Sequence, residues 1–241
     1  MTYCVGLLLR DGMVLLSDTR TNAGLDNIAI YRKMFFFEEP GERVIAIMTA
    51  GSLSVSQTTL ARLREAVDDP DSTEATSILK APTMLKVAGL VGDMLASVRV
   101  EIGEKMAATK TSASASMIVA GQRRGGEMRV FLIYPEGNFI EATEDTPFLQ
   151  IGEHKYGKPI LDRVVKPGTT LADAQKAVLL SMDSTLRSNL SVGMPLDLCV
   201  IERDACQISS RRRIEAGDEA FRAMSEAWSR ALRDGFTQIS L

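Results

Sequence analysis

The sequence predicts an α+β protein: a four-layer αββα sandwich of two antiparallel sheets, with residues 1–241 forming one domain. Two observations lead there. Strand-like runs arrive as hairpins in separate groups, and amphipathic helices arrive in pairs between those groups. No linker, repeat or low-complexity stretch divides the chain, and 241 residues at 45% hydrophobic can fill one large core. Stacking the sheets face to face, each under a helix pair, would bury every apolar stripe.

"TYCVGLLL" is β-rich, "RDG" is a turn with Asp11-Gly12 suited to positive φ, and "MVLLSDTR" returns as a second strand. "NAG" breaks the chain. "KMFFF" and "RVIAIMTAG" pair across "EEPGE", so four strands in succession are expected to share an antiparallel sheet. Helical spacing then covers Leu53–Val67 (Leu60, Leu63, Val67) and Met84–Ile102 (Met84, Val87, Val91, Met94, Leu95, Val98, Ile102), with the polar loop "DDPDSTEATS" between. Strand signals return at "SMIVAGQ", "MRVFLIY", "GNFIEA" and "PFLQIG". Helices are expected at 158–165 and 170–188, the second opened by Thr170 and Asp173 as a capping-box-like start. "PLDLCVIE" and "CQISS" read as closing strands, followed by an amphipathic helix over 218–233 with Phe221, Met224, Trp228 and Leu232 on one side.

Several function classes fall away. A net charge of −3 does not ask for nucleic acid or an anionic membrane, and Arg211-Arg212-Arg213 and "QRRGGEMR" read as solvated charge. No apolar run is long enough to span a bilayer, and no signal-peptide pattern is present, so a cytoplasmic location is expected. Cys4, Cys199 and Cys206 are scattered and read as buried thiols. The single histidine, His154, excludes a multi-histidine zinc site and reads as a surface or interface residue. No metal or cofactor is called for.

One constellation carries chemistry. A threonine hydroxyl is a weak nucleophile without a base beside it. If Met1 is removed, Thr2 supplies its own base, an α-amine with an ordinary pKa of about 8. A fixed lysine near that amine would oppose its protonation, an aspartate would orient the lysine, and a backbone N–H at a strand-to-helix turn would receive the oxyanion. Thr2 starts the first strand, Asp18 ends the second, Lys33 opens the third, and Gly51 stands where the fourth feeds a helix. On this reading the fold starts at residue 2. Singly, each has an ordinary alternative: Asp18 as a turn residue, Lys33 as a solvated edge charge, Gly51 as a tight corner.

The pattern "MT-x-x-V-G-x-x-x-x-DG-x-x-x-x-x-DTR", the lysine before an apolar strand and "AGS" before a helix resemble proteasome-type β-subunits of the N-terminal-nucleophile hydrolases, over essentially the whole chain. "IGEHKYGKPILDR" and "STLRSNLSVGMPLDL" more narrowly resemble Anbu, the ancestral β-subunit branch of bacteria. The resemblance implies a threonine-type peptidase that cleaves peptide bonds through a Thr2 acyl-ester in a homo-oligomer, ring-shaped or helically pitched; an ATPase partner is left open. It implies Asp18 and Lys33 as tuners of the amine, the Gly51 N–H as oxyanion donor, and Ser191 near the amine. It implies a pocket lined by Thr21, Tyr31, Phe35, Thr49 and Leu53, suited to an apolar side chain. Two positions depart from the family pattern: Glu153 stands where a serine follows Gly152, and Ser188 stands where an aspartate precedes Ser191 by three. The acid is either moved to Glu153 or absent, which leaves a weakly active or inactive assembly subunit, or an amidase or acyl-transfer enzyme, as alternatives.

Overall fold

The computed structural model describes residues 1–22, 28–107 and 113–240. In order these form β1 (Tyr3–Leu9), β2 (Gly12–Asp18), β3 (Arg20–Asn22), β4 (Ile28–Ile30), β5 (Met34–Glu39), β6 (Arg43–Gly51), α1 (Leu53–Asp68), α2 (Met84–Met106), β7 (Ala115–Arg123), β8 (Arg129–Ile133), β9 (Phe139–Glu141), β10 (Phe148–Gly152), α3 (Lys158–Val164), α4 (Leu171–Ser188), β11 (Leu196–Glu202), β12 (Ser210–Ile214) and α5 (Glu219–Thr237). The strands make two five-stranded antiparallel sheets, β10-β1-β2-β11-β12 and β5-β6-β7-β8-β9, and the short β3-β4 ladder stands apart.

Three apolar clusters separate four layers. Tyr3, Val5, Leu7, Val14, Leu16, Leu196 and Leu198 face α3 and α4, meeting Leu161, Ala174, Val178 and Met182. Cys4, Met13, Leu15 and Cys199 point the other way, onto Val44, Ala46, Met48 and Ile118 of the second sheet. That sheet's other face, with Ile45, Ile47, Met117 and Val119, lies under α1 and α2. Period-2 alternation splits each central strand between two cores. Strands buried on both faces therefore read as continuous apolar runs such as "CVGLLL" rather than as apolar–polar alternation.

The helix ends follow from local chemistry. Thr83, Thr170 and Asp218 precede α2, α4 and α5, and their side chains accept from the N–H of Lys86, Asp173 and Phe221. α5 runs past the predicted stop at 233 to Thr237.

Three expectations are corrected. The first four long strands do not share a sheet: β1-β2 belongs to one layer and β5-β6 to the other. The sequence between them contains an unpredicted ladder, β3-β4, and the break read at Asn22-Ala23-Gly24 lies partly outside the described residues. The last strand is not "CQISS" but Ser210–Ile214, which includes the arginine triplet. An edge strand tolerates charge on its open side, because only its inward residues need be apolar. Here Ile214 is buried, and Arg211 lies over the Phe36 ring.

Candidate active site

The N-terminal strand is gripped from all sides. The Thr2 carbonyl accepts from the Glu153 N–H at 2.7 Å. Gly152 has φ +81°, and a Cβ there would run into that same carbonyl, so the close approach requires glycine. One residue on, the Tyr3 N–H donates to Asp18 Oδ1 at 3.1 Å. Thr2 itself is 7% exposed.

Asp18, the last residue of β2, is fully buried. Its Oδ1 accepts from Lys33 Nζ at 2.8 Å, and its Oδ2 accepts from the Gly193 N–H at 3.2 Å. Burial pushes its carboxyl above the ordinary carboxylate range; the Lys33 ammonium and the Tyr3 and Gly193 N–H groups pull against that rise. Lys33 is 4% exposed and also donates to the Arg20 carbonyl at 2.5 Å. An ion pair this deep costs desolvation that its own attraction barely repays, so a packing role alone explains it poorly.

Beside this pair lies a cavity of about 260 Å³ lined by Met1, Thr2, Thr21, Lys33, Thr49, Ala50, Gly51, Leu53 and Ser56. Gly51 ends β6 with φ +102°, and a Cβ there would strike the Ser114 carbonyl. The next amide, Ser52 N–H, is already spent on Ser114 O at 2.8 Å.

Thr2, Lys33, Gly51, Thr21, Thr49 and Leu53 thus share one cavity, with Asp18 bonded behind Lys33. Other sequence-predicted positions stand apart. Tyr31 and Phe35 are not in the lining: Tyr31 is exposed, and Phe35 packs toward α1 and α2 with the Arg64 guanidinium over its ring. Ser188 is exposed at the last turn of α4. Ser191 has its N–H on Asn189 Oδ1 at 2.9 Å. The Glu153 carboxylate makes no ion pair with Lys33 and no hydrogen bond to Ser191 among the described residues; Glu153 touches Thr2 through its backbone. His154 is exposed, with its ring Nδ1 at 3.1 Å from Gly152 O.

Sequence reasoning missed Gly193, Arg20 and Ser56. Gly193 N–H fixes Asp18, and a Cβ at Gly193 would collide with the Arg20 guanidinium, whose Nη1 donates to Leu190 O at 3.0 Å. Nothing local in "SVGMP" points to an aspartate 175 residues away. Cys4 is fully buried, with its thiol raised by burial, and Cys199 is pushed up to about 12 by the same cause. No metal-holding cluster occurs among the described residues, and no helix among them is long and apolar enough to cross a membrane.

Two stacked antiparallel sheets between helix pairs, with a threonine at the head of β1 over a buried lysine–aspartate pair, define an N-terminal-nucleophile hydrolase fold. The chain belongs to the proteasome subunit family, whose model matches residues 2–201, and within it to the Anbu-like members. An Anbu (Gly-1) mutant from Hyphomicrobium sp. strain MC1 is 48% identical, with 100% of this chain and 99% of that chain covered and a TM-score of 0.93. Anbu from Yersinia bercovieri is 39% identical over 99% and 98% of the two chains, with a TM-score of 0.91. The Anbu complex from Pseudomonas aeruginosa, solved as a helical assembly, is 42% identical over 99% and 97%, with a TM-score of 0.92. A search of curated proteins gave no match.

Proposed function

We propose that the protein is a threonine-type peptidase that works as a homo-oligomer, ring-like or helically pitched. The observation that carries this reading is the buried Lys33–Asp18 pair at 2.8 Å in the wall of the cavity that Thr2 lines. In a packed protein, a charge this deep beside a hydroxyl points to chemistry. Removal of Met1 frees the Thr2 amine. That amine takes the Oγ proton as Oγ attacks the peptide carbonyl carbon, and the Lys33 charge nearby keeps the amine from holding a proton beforehand. The tetrahedral oxyanion lies toward the Gly51 N–H. Collapse breaks the C–N bond, the amine returns its proton to the departing amine, and Thr2 is left as an acyl-ester. Water, deprotonated by the same amine, releases the acid and restores Thr2.

The cavity walls of Thr21, Thr49, Ala50 and Leu53 favour a small or medium apolar side chain next to the scissile bond. Among the described residues, the side chains of Glu153, Ser188 and Ser191 make no hydrogen bond or ion pair to Thr2, Lys33 or Asp18, which supports slow turnover as the second reading. The test is intact mass of cell-expressed protein before and after a tripeptide vinyl sulfone with an apolar terminal residue. Loss of one methionine and a single adduct on Thr2 are expected. Retained Met1, or an adduct elsewhere, overturns the reading.

A further inference from the structure

The strand that carries Thr2 has a side chain at its next position that packing alone does not explain. Tyr3 is fully buried on the helix side of the first sheet, among Val5, Leu161, Val178 and Met182. Phenylalanine would fill that apolar site without desolvating a hydroxyl. Instead the fold builds a seat for the phenol. Gln150 Nε2, from β10, donates to Tyr3 Oη at 2.6 Å, and Ser181 Oγ, from α4, shares a short hydrogen bond with it. The third wall is Gly157, just before α3, where a Cβ would strike both Ser181 Oγ and Tyr3 Oη. Three elements thus converge on one hydroxyl, and burial keeps that phenol protonated by pushing its pKa up.

The same residue's backbone faces the other way. Tyr3 N–H donates to Asp18 Oδ1, the oxygen that holds Lys33. The helix that holds the phenol, α4, runs on through residues 189–192 to Gly193, whose N–H holds the second oxygen. Both backbone donors on Asp18 are therefore anchored by one buried junction, directly or through α4.

We propose that Tyr3 is a positioning residue: its phenol, locked by Ser181, Gln150 and the Gly157 gap, sets the Tyr3 and Gly193 amides on Asp18 and so fixes Lys33 beside Thr2. The proposal rests on Thr2 as nucleophile for its kinetic effect, while its geometric effect on Asp18 stands apart from that assignment. The ionisable groups that face Asp18 are Lys33, ahead of β5, and Cys4, on β1; the Arg20 side chain lies against Gly193 and is turned to the Leu190 carbonyl. Loosening either amide removes a donor that favours the carboxylate, so Asp18 would take a proton at higher pH.

The test compares wild type with Tyr3→Phe, Ser181→Ala and the double variant. Tyr3→Phe is expected to slow vinyl sulfone labelling about tenfold or more at saturating probe, a loss of geometry rather than of probe affinity. The acid limb of the labelling rate is expected to move up by about one pH unit, and Ser181→Ala to move it the same way by less. Hydrogen exchange at the Gly193 amide, followed by mass spectrometry over residues 189–196, is expected to quicken in both. The double variant removes two of the buried polar groups and regains stability, yet keeps the shifted limb. An unmoved limb with unchanged Gly193 exchange in Tyr3→Phe overturns the proposal, as does recovery of the limb in the double variant. If wild type labels at a residue other than Thr2, or not at all, the nucleophile assignment falls, and Gly193 exchange alone decides the role of Tyr3.

Discussion

The two ends of the sandwich both bury polar groups, and they use them differently. At the end where β1 turns into β2, Arg203 donates to Arg10 O and Leu9 O, and the Gln122 side chain exchanges hydrogen bonds with Asp204 while also donating to Gly126 O. The cleft there is about 450 Å³, larger than the 260 Å³ beside Thr2. Its buried polar anchors are the neutral Gln122 amide on β7 and the Arg43 guanidinium at the start of β6, which donates to Ile78 O at 2.8 Å, and neither lines the cleft. At the Thr2 end the anchor is a charge pair, and one of its members faces the cavity. A buried charge is costly wherever it sits, and only one that lines a cavity can act on what enters there.

Substitutions at matched positions should separate the ends. Thr2→Ala should reduce vinyl sulfone labelling to background while leaving the assembled size unchanged by light scattering; an equally labelled variant would place the nucleophile elsewhere. Lys33→Ala strands Asp18 without a counter-charge and should cost about 3–5 kcal/mol in denaturant unfolding, with labelling lost as well. Gln122→Ala, buried but neutral, should cost about 1–3 kcal/mol from its lost bonds to Asp204 and Gly126 and leave labelling intact. Equal activity loss in both would erase the contrast.

The pH response should come from the same end. Because burial raises the Asp18 carboxyl, the folded state binds its proton more tightly than the unfolded chain does. The stability this contributes is fully present below the unfolded-state value of about 4 and is lost as pH rises through the raised folded value. Asp18→Asn mimics the protonated form, so wild type should lose stability relative to it across that window, and the acid limb of labelling should lie above the ordinary aspartate range. A difference between the two unfolding midpoints that does not change with pH would contradict the raised value. The smallest effect belongs to the thiols. Cys4, Cys199 and Cys206 are buried, each raised by burial, and should resist alkylation at neutral pH until the protein unfolds. Cys4→Ala should label like wild type, although Cys4 follows Thr2 by two residues; a fall to background would bring Cys4 into the chemistry.

The four-layer architecture and the helix starts were legible because their causes are local. Apolar spacing marks the buried faces of α1 and α2, and Thr83, Thr170 and Asp218 cap helices within three residues of themselves. The β3-β4 ladder and the arginine-bearing β12 were not, since three-residue strands and edge strands carry little hydrophobic pattern. Thr2, Asp18, Lys33 and Gly51 could be nominated because the chemistry restricts residue type and the family pattern fixes their order. Sequence alone thus nominated residues of the right chemical type and marked which faces must be buried. Which sheet each hairpin joins, which amides hold Asp18, that Tyr31, Phe35 and the Glu153 carboxylate stand apart from the cavity, and that a tyrosine rather than a phenylalanine follows Thr2 for a reason, were decided only in three dimensions. Those contacts join residues as far apart as 178 positions, and no local propensity encodes a partner at that distance.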